Sequence, residues 1–186
     1  MRTQDRKRPT KEELAAAEGT HLPDVIQPDL RVLFCGINPG LYSAAIGHHF
    51  ARPGNRFWGA LLAGGFTNRL LSAWEDQELL QFSCGLTNLV ERASARASEL
   101  RPAELLAGRA ALEAKLLRNR PRWIAILGID AYRTAFSRPR ASLGPQSERL
   151  GTAGLWVLPN PSGLNAHHQP PKLAALFREL REVAFG

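Results

Sequence analysis

The sequence predicts an α/β protein, a three-layer αβα sandwich around a short, mostly parallel central sheet. Apolar runs at 30–36, 123–128 and 155–158 are continuous rather than alternating, as in strands buried on both faces. Amphipathic helical stretches separate them, the βα alternation that puts helices on both faces of a parallel sheet. Two of the runs end in Asn-Pro turns, Asn38-Pro39 and Asn160-Pro161. Both turns should therefore open at one edge of the sheet, beyond the strand carboxyl ends, where such sheets bind ligands.

Residues 1–9 read as a basic arm, and Thr10 to Glu13 has capping-box spacing for a short helix ending near Ala17. A Pro-punctuated linker leads into the first strand, 30–36. We divide the chain into an arm with its short helix, 1–22, and a single domain, 23–186. Residues 41–56 read as a long irregular loop, and loops of that length in compact domains are often functional. Helices follow over 55–63 and 74–81, then a strand or extended segment over 84–90 and a polar loop over 91–98. Pro102 opens a helix to about Arg118, with Leu105, Leu106, Leu112, Leu116 and Leu117 as its apolar face. Asp130 should cap a helix through Phe136, and 137–147 reads as a basic loop broken by Pro and Gly. A terminal helix over 170–185 turns Leu173, Leu176, Phe177, Leu180 and Val183 inward.

Composition narrows the function classes. At 186 residues, 44% hydrophobic and 22% charged, the chain is that of a soluble globular protein. It holds no apolar run of membrane-spanning length, and its basic start lacks the apolar core of a secretory signal. Two cysteines, Cys35 and Cys84, are too few for a disulfide framework or a four-thiolate cluster, so a reducing cytoplasm fits best. With 20 arginines, 4 lysines and 17 acids, the net charge is +7 and the pI about 10.2. Such a balance suits a polyanionic partner. It also suits a GC-rich coding bias, which the heavy use of Ala, Leu, Gly and Pro suggests.

The motifs are more specific. Gly36 and Gly40 frame a turn that presents the Asn38 amide at the end of a strand, a place for a small ligand and a water, or simply a turn. The P-loop and dinucleotide glycine patterns are absent, as is a Gly-x-Ser-x-Gly elbow. The adjacent pairs His48-His49 and His167-His168 lack a supporting Cys or carboxylate cluster, so no metal site is expected.

Three blocks carry a resemblance: Phe34-Cys35-Gly36-Ile37-Asn38-Pro39-Gly40-Leu41, then Phe50-Ala51-x-Pro53-x-Asn55-Arg56-Phe57-Trp58, then Leu158 to Leu164. In order and spacing, over roughly 24–182, they resemble the mismatch-specific uracil/thymine DNA glycosylases. The resemblance implies a monofunctional enzyme of base-excision repair, without metal or cofactor. It would act as a monomer in the cytoplasm, with the nucleoid. It would flip uracil, and related pyrimidines, out of mismatches such as G·U and hydrolyse the N-glycosidic bond. Its partner is double-stranded DNA holding a mispaired or damaged base, with single strands as a further substrate.

The resemblance also assigns roles. Asn38 holds the attacking water. Backbone around Gly36 and Ile37, the Phe50 ring, Ser43 and Asn88 meet the base. Asn160, Ser162, Gly163, Leu164 and Asn165 meet DNA, Leu164 filling the hole left by the flipped nucleotide. Without the resemblance, Phe50 reads as a core aromatic and Leu164 as a packed turn residue. An amide cannot take a proton at neutral pH, so Asn38 needs help to be fast. Glu91 and the loop to Ser98 are candidates for that help, and each reads equally as a solvated surface residue. The sequence departs from the family pattern at Asn88, where relatives often carry Lys, and at Ala166, where an Arg is usual and His167 or His168 could substitute. Asn160 stands where another branch has a catalytic His. The alternative function is a non-catalytic mismatch-binding module on the same fold.

Overall fold

The computed structural model describes residues 8–163 and 168–186. The Thr10 capping box forms: its side chain accepts from the Glu13 N–H while Glu13 receives the Thr10 N–H, opening α1 (Lys11–Ala16). The strands are β1 (Val32–Gly36), β2 (Cys84–Asn88), β3 (Trp123–Leu127), β4 (Gly144–Leu150) and β5 (Ala153–Leu158). They form one sheet in the order β2-β1-β3-β5-β4. The first four of that order are parallel and β4 runs antiparallel at the edge. The expected three-layer α/β architecture is the one observed.

Alternation along the strands builds two cores. Val32, Phe34, Leu86, Ala125, Leu127, Trp156 and Leu158 pack under α3 (Phe57–Ala63) and α6 (Pro170–Phe185). Leu33, Cys35, Ile124, Ile126, Leu155 and Val157 pack under α4 (Pro102–Asn119) and α5 (Ile129–Ala135). Covering both faces is what the continuous apolar strands require. β1 lies between β2 and β3, so successive crossovers depart from it in opposite directions. The reversal leaves a crevice beyond the carboxyl end of β1.

Several sequence expectations change. The long loop after β1 contains a helix, α2 (Leu41–Ile46), stopped at Gly47 in the left-handed region. The stretch over 137–147 runs into β4, which has only its end residues buried and carries Pro145. Its polar, Pro-containing sequence is that of an edge strand, which needs no apolar faces. Gly128, not Asp130, sits at the start of α5, with Asp130 in the first turn. The stretch Ala73–Phe82 is a 3₁₀ run broken at Glu75 rather than one helix. Leu106, Leu117 and Val183 face solvent instead of the core.

Candidate active site

The crevice holds a cavity of about 160 Å³. Gly36, Ile37, Asn38, Ser43, Phe50, Asn88, Asn160 and Ser162 all border it. That is small beside the 300 Å³ or so where drug-sized pockets begin, and suits a single ring. The two Asn-Pro turns, 122 residues apart in sequence, thus face the same space from the ends of β1 and β5.

Asn38 is held rather than merely presented. Its Nδ2 donates to the Arg92 carbonyl at 3.0 Å and to Ser94 Oγ at 2.8 Å. A carbonyl can only accept, which fixes which end of the amide is nitrogen. Ser94 in turn donates to the Arg96 carbonyl at 2.8 Å. Both amide protons are committed, and among the described residues Oδ1 has no protein partner. An acceptor with fixed direction remains for a water.

The clamp is an extension of the sheet. Beyond β1 and β2 the two chains stay paired, Leu89 N–H to Gly36 O, Val90 N–H to Ile37 O and Ser94 N–H to Pro39 O, at 2.9–3.1 Å. Ser94 belongs to the loop expected to assist Asn38, but nothing in its sequence spacing singles it out.

Asn88 contrasts with Asn38. It is buried, yet its side-chain amide has no protein partner among the described residues. It lies over Gly36, where an added Cβ would come within 2.5 Å of Asn88 Oδ1 and 3.4 Å of the Phe50 ring. The glycine is required by that approach. Phe50 stacks on Phe57, centroids 4.1 Å apart and planes at 25°. Its φ of 51° is left-handed, a conformation that costs a non-glycine residue about 1–3 kcal/mol and persists where surrounding structure imposes it. Ser43 Oγ accepts the Ala51 N–H at 3.0 Å, bracing the backbone beside Phe50.

His49 closes one wall. Its Nε2 lies 2.9 Å from the Pro23 carbonyl, so Nε2 carries the proton. Burial lowers its pKa, the Pro23 bond and Asp76 opposing, and holds the ring neutral near pH 7. Sequence reading assigned His49 no role here. On the β5 side, Asn160 Oδ1 accepts the Ser162 N–H at 2.9 Å. Arg56 donates to the Gly163 carbonyl at 3.3 Å and the His168 carbonyl at 2.9 Å. Gly163 sits so close to Gly54 that a Cβ would lie 2.5 Å from its carbonyl oxygen. Leu164, Asn165, Ala166 and His167 lie outside the described residues.

Glu91 is not brought to the cavity. Its carboxylate pairs with Lys115 at 3.0 Å and with His21 at 3.4 Å. The hydrogen bond from Lys115 lowers its pKa below the usual carboxylate range. So placed, it cannot receive a proton from a water at Asn38. Among the described residues no three His, Cys, Asp or Glu side chains converge as a metal site would require.

A doubly covered α/β sheet with a ring-sized cavity at its switch point defines the class of α/β proteins that bind a small ligand beyond the strand carboxyl ends. Comparison with known proteins supplies the family. The model of the uracil DNA glycosylase superfamily matches residues 23–182, and the chain belongs to that superfamily. A solution NMR structure from Methanosarcina acetivorans, given as a candidate uracil DNA glycosylase, shares the fold. Its TM-score is 0.56 at 19% identity, covering 88% of this chain and 98% of that one.

Proposed function

We propose that the protein removes uracil from DNA mispairs, G·U first among them, acting as a mismatch-specific uracil DNA glycosylase. The observation that carries this reading is the pairing of two unlike amides in one cavity: Asn38 immobilised with its acceptor free, Asn88 unpartnered beside Phe50 and Gly36. A uracil flipped from the duplex would lie against the open face of Phe50. Its N3–H and O4 match the acceptor and donor of the Asn88 amide.

The chemistry then follows from what Asn38 cannot do. Asn38 cannot itself deprotonate the water and, among the described residues, no carboxylate borders the cavity, so the N1–C1′ bond must largely break first, its electron pair leaving with the base. The sugar becomes oxocarbenium-like, and a neutral water on Asn38 Oδ1 adds to C1′. That water's proton passes to solvent or to the departing base. Binding energy at Asn88 and Phe50 stabilises the leaving anion, and a weakly stacked mispair lowers the cost of flipping. The basic composition favours the DNA backbone.

Alkali cleavage of labelled duplexes tests the reading. Uracil opposite guanine should give abasic product, with less from uracil opposite adenine and from thymine opposite guanine. Tight binding of the mispair without abasic product would instead establish the non-catalytic module.

A further inference from the structure

The clamp on Asn38 has a mount of its own. Arg92, whose carbonyl takes one Asn38 proton, is tied through its guanidinium to Glu104 on α4, at 2.5 Å from Nε and 3.2 Å from the second terminal nitrogen. Its neighbour Glu91 is tied to Lys115, also on α4 and about three turns further along the same face. Lys115 is partly buried and reaches Asp24 at 2.8 Å and Thr87 Oγ1 at 3.3 Å as well. Thr87, fully buried beside Asn88, donates to the other Asp24 oxygen at 2.7 Å. Asp24 belongs to the segment that pairs along the outer side of β2, Val25 with Leu86 and His21 with Arg92. One ammonium therefore joins the leading segment, the end of β2, the loop that follows it and α4.

We infer that Lys115 is a positioning residue for Asn38, holding the 91–94 backbone at the distance where Arg92 and Ser94 fix the amide. The inference rests on the excision reading of the site. The Lys115 side chain is 21% exposed and Asp24 20%, with Glu91 half-exposed at the rim; an ammonium held between two carboxylates and a hydroxyl limits how far these partners drift apart. Removing it would leave Asp24 and Glu91 mutually repulsive beneath the loop. The Arg92 carbonyl would then wander relative to Asn38, and displacements of about 1 Å at a reacting centre are worth up to roughly a hundred-fold in rate.

The test uses Lys115→Met, alone and combined with Asn38→Ala, on a uracil·guanine duplex. With a purely positioning role, kcat falls about ten- to a hundred-fold while KM stays within about two-fold, and the loss disappears in the Asn38→Ala background. Lys115→Arg should recover part of the rate. An unchanged kcat, or an equal loss in both backgrounds, would overturn the inference. If Lys115→Met does not fold, Glu91→Gln carries the same comparison, with a several-fold loss confined to kcat as the expected result. A second readout needs no turnover: the Asn38 side-chain NH₂ protons, observed by NMR, should be protected from exchange in the wild type and lose protection in the variant. Unprotected wild-type protons would also refute it. An inactive wild type with protected protons would instead refute only the excision reading.

Discussion

The two Asn-Pro turns begin alike, each following an apolar strand, and end in opposite uses of the amide. In the β1 turn the nitrogen of Asn38 is consumed by Arg92 and Ser94 and the oxygen is left for something outside the protein. In the β5 turn the oxygen of Asn160 is consumed by the next-but-one backbone N–H, in an Asx turn. The first is braced by buried neighbours and a shared ladder, the second by Arg56 and the close approach of Gly54. One turn is built to aim a side chain and the other to shape a backbone. An identical dipeptide at an identical sheet position does not fix a role; the partners of its amide do.

The comparison is broken most sharply at Asn38. Asn38→Ala should lower the excision rate by about a hundred-fold or more while leaving mispair affinity nearly intact, as single-turnover kinetics and a binding titration would show. Gly36→Ala comes next. Its methyl group would displace the Asn88 amide, so base recognition should weaken by about ten-fold or more, seen in KM rather than kcat. Asn160→Ala removes the acceptor of the Ser162 N–H and should cost about 1 kcal/mol or more of stability in urea unfolding. The smallest effect concerns acid. Glu104 is held down to about 2, chiefly by the hydrogen bond from Arg92 and then by the Arg101 backbone. A carboxylate with a depressed pKa stabilises the fold above its unfolded value and loses that contribution as pH falls through the folded one. Its tie to Arg92 should therefore hold above pH 4.5 and fade toward pH 2. Glu104→Gln would flatten the pH dependence of unfolding in that window.

Much of the scaffold was legible because burial on both sheet faces leaves an unambiguous apolar run, as at Trp123–Leu127 and Ala153–Leu158. β4 was not, since an edge strand with Pro145 needs no such pattern. Nor was α2, six residues whose helix is stopped by Gly47 rather than announced by a strong face. In the site, Gly36, Ile37, Asn38, Ser43, Phe50 and Asn88 converge as their motifs suggested. Glu91 was misleading because its partner Lys115 lies 24 residues away, on a helix whose rotation no local pattern encodes. Ser94 was not singled out within its loop, and His49 was missed, for the same reason: their importance lies in partners at Asn38 and Pro23 that only the folded chain brings near.

The ladder that continues past the ends of β1 and β2 bears on dynamics. Residues on an ordinary surface loop open and close many times while the core stays shut, and each opening would release a bound water. Here the Leu89, Val90 and Ser94 amides hydrogen-bond to the very backbone that carries Asn38. Loss of its aim therefore requires unzipping part of the sheet, an event drawn from the high end of the opening free energies. The ordering of the Asn38 amide is therefore already complete on folding, which under the proposed excision leaves no ordering of that side chain to the reaction.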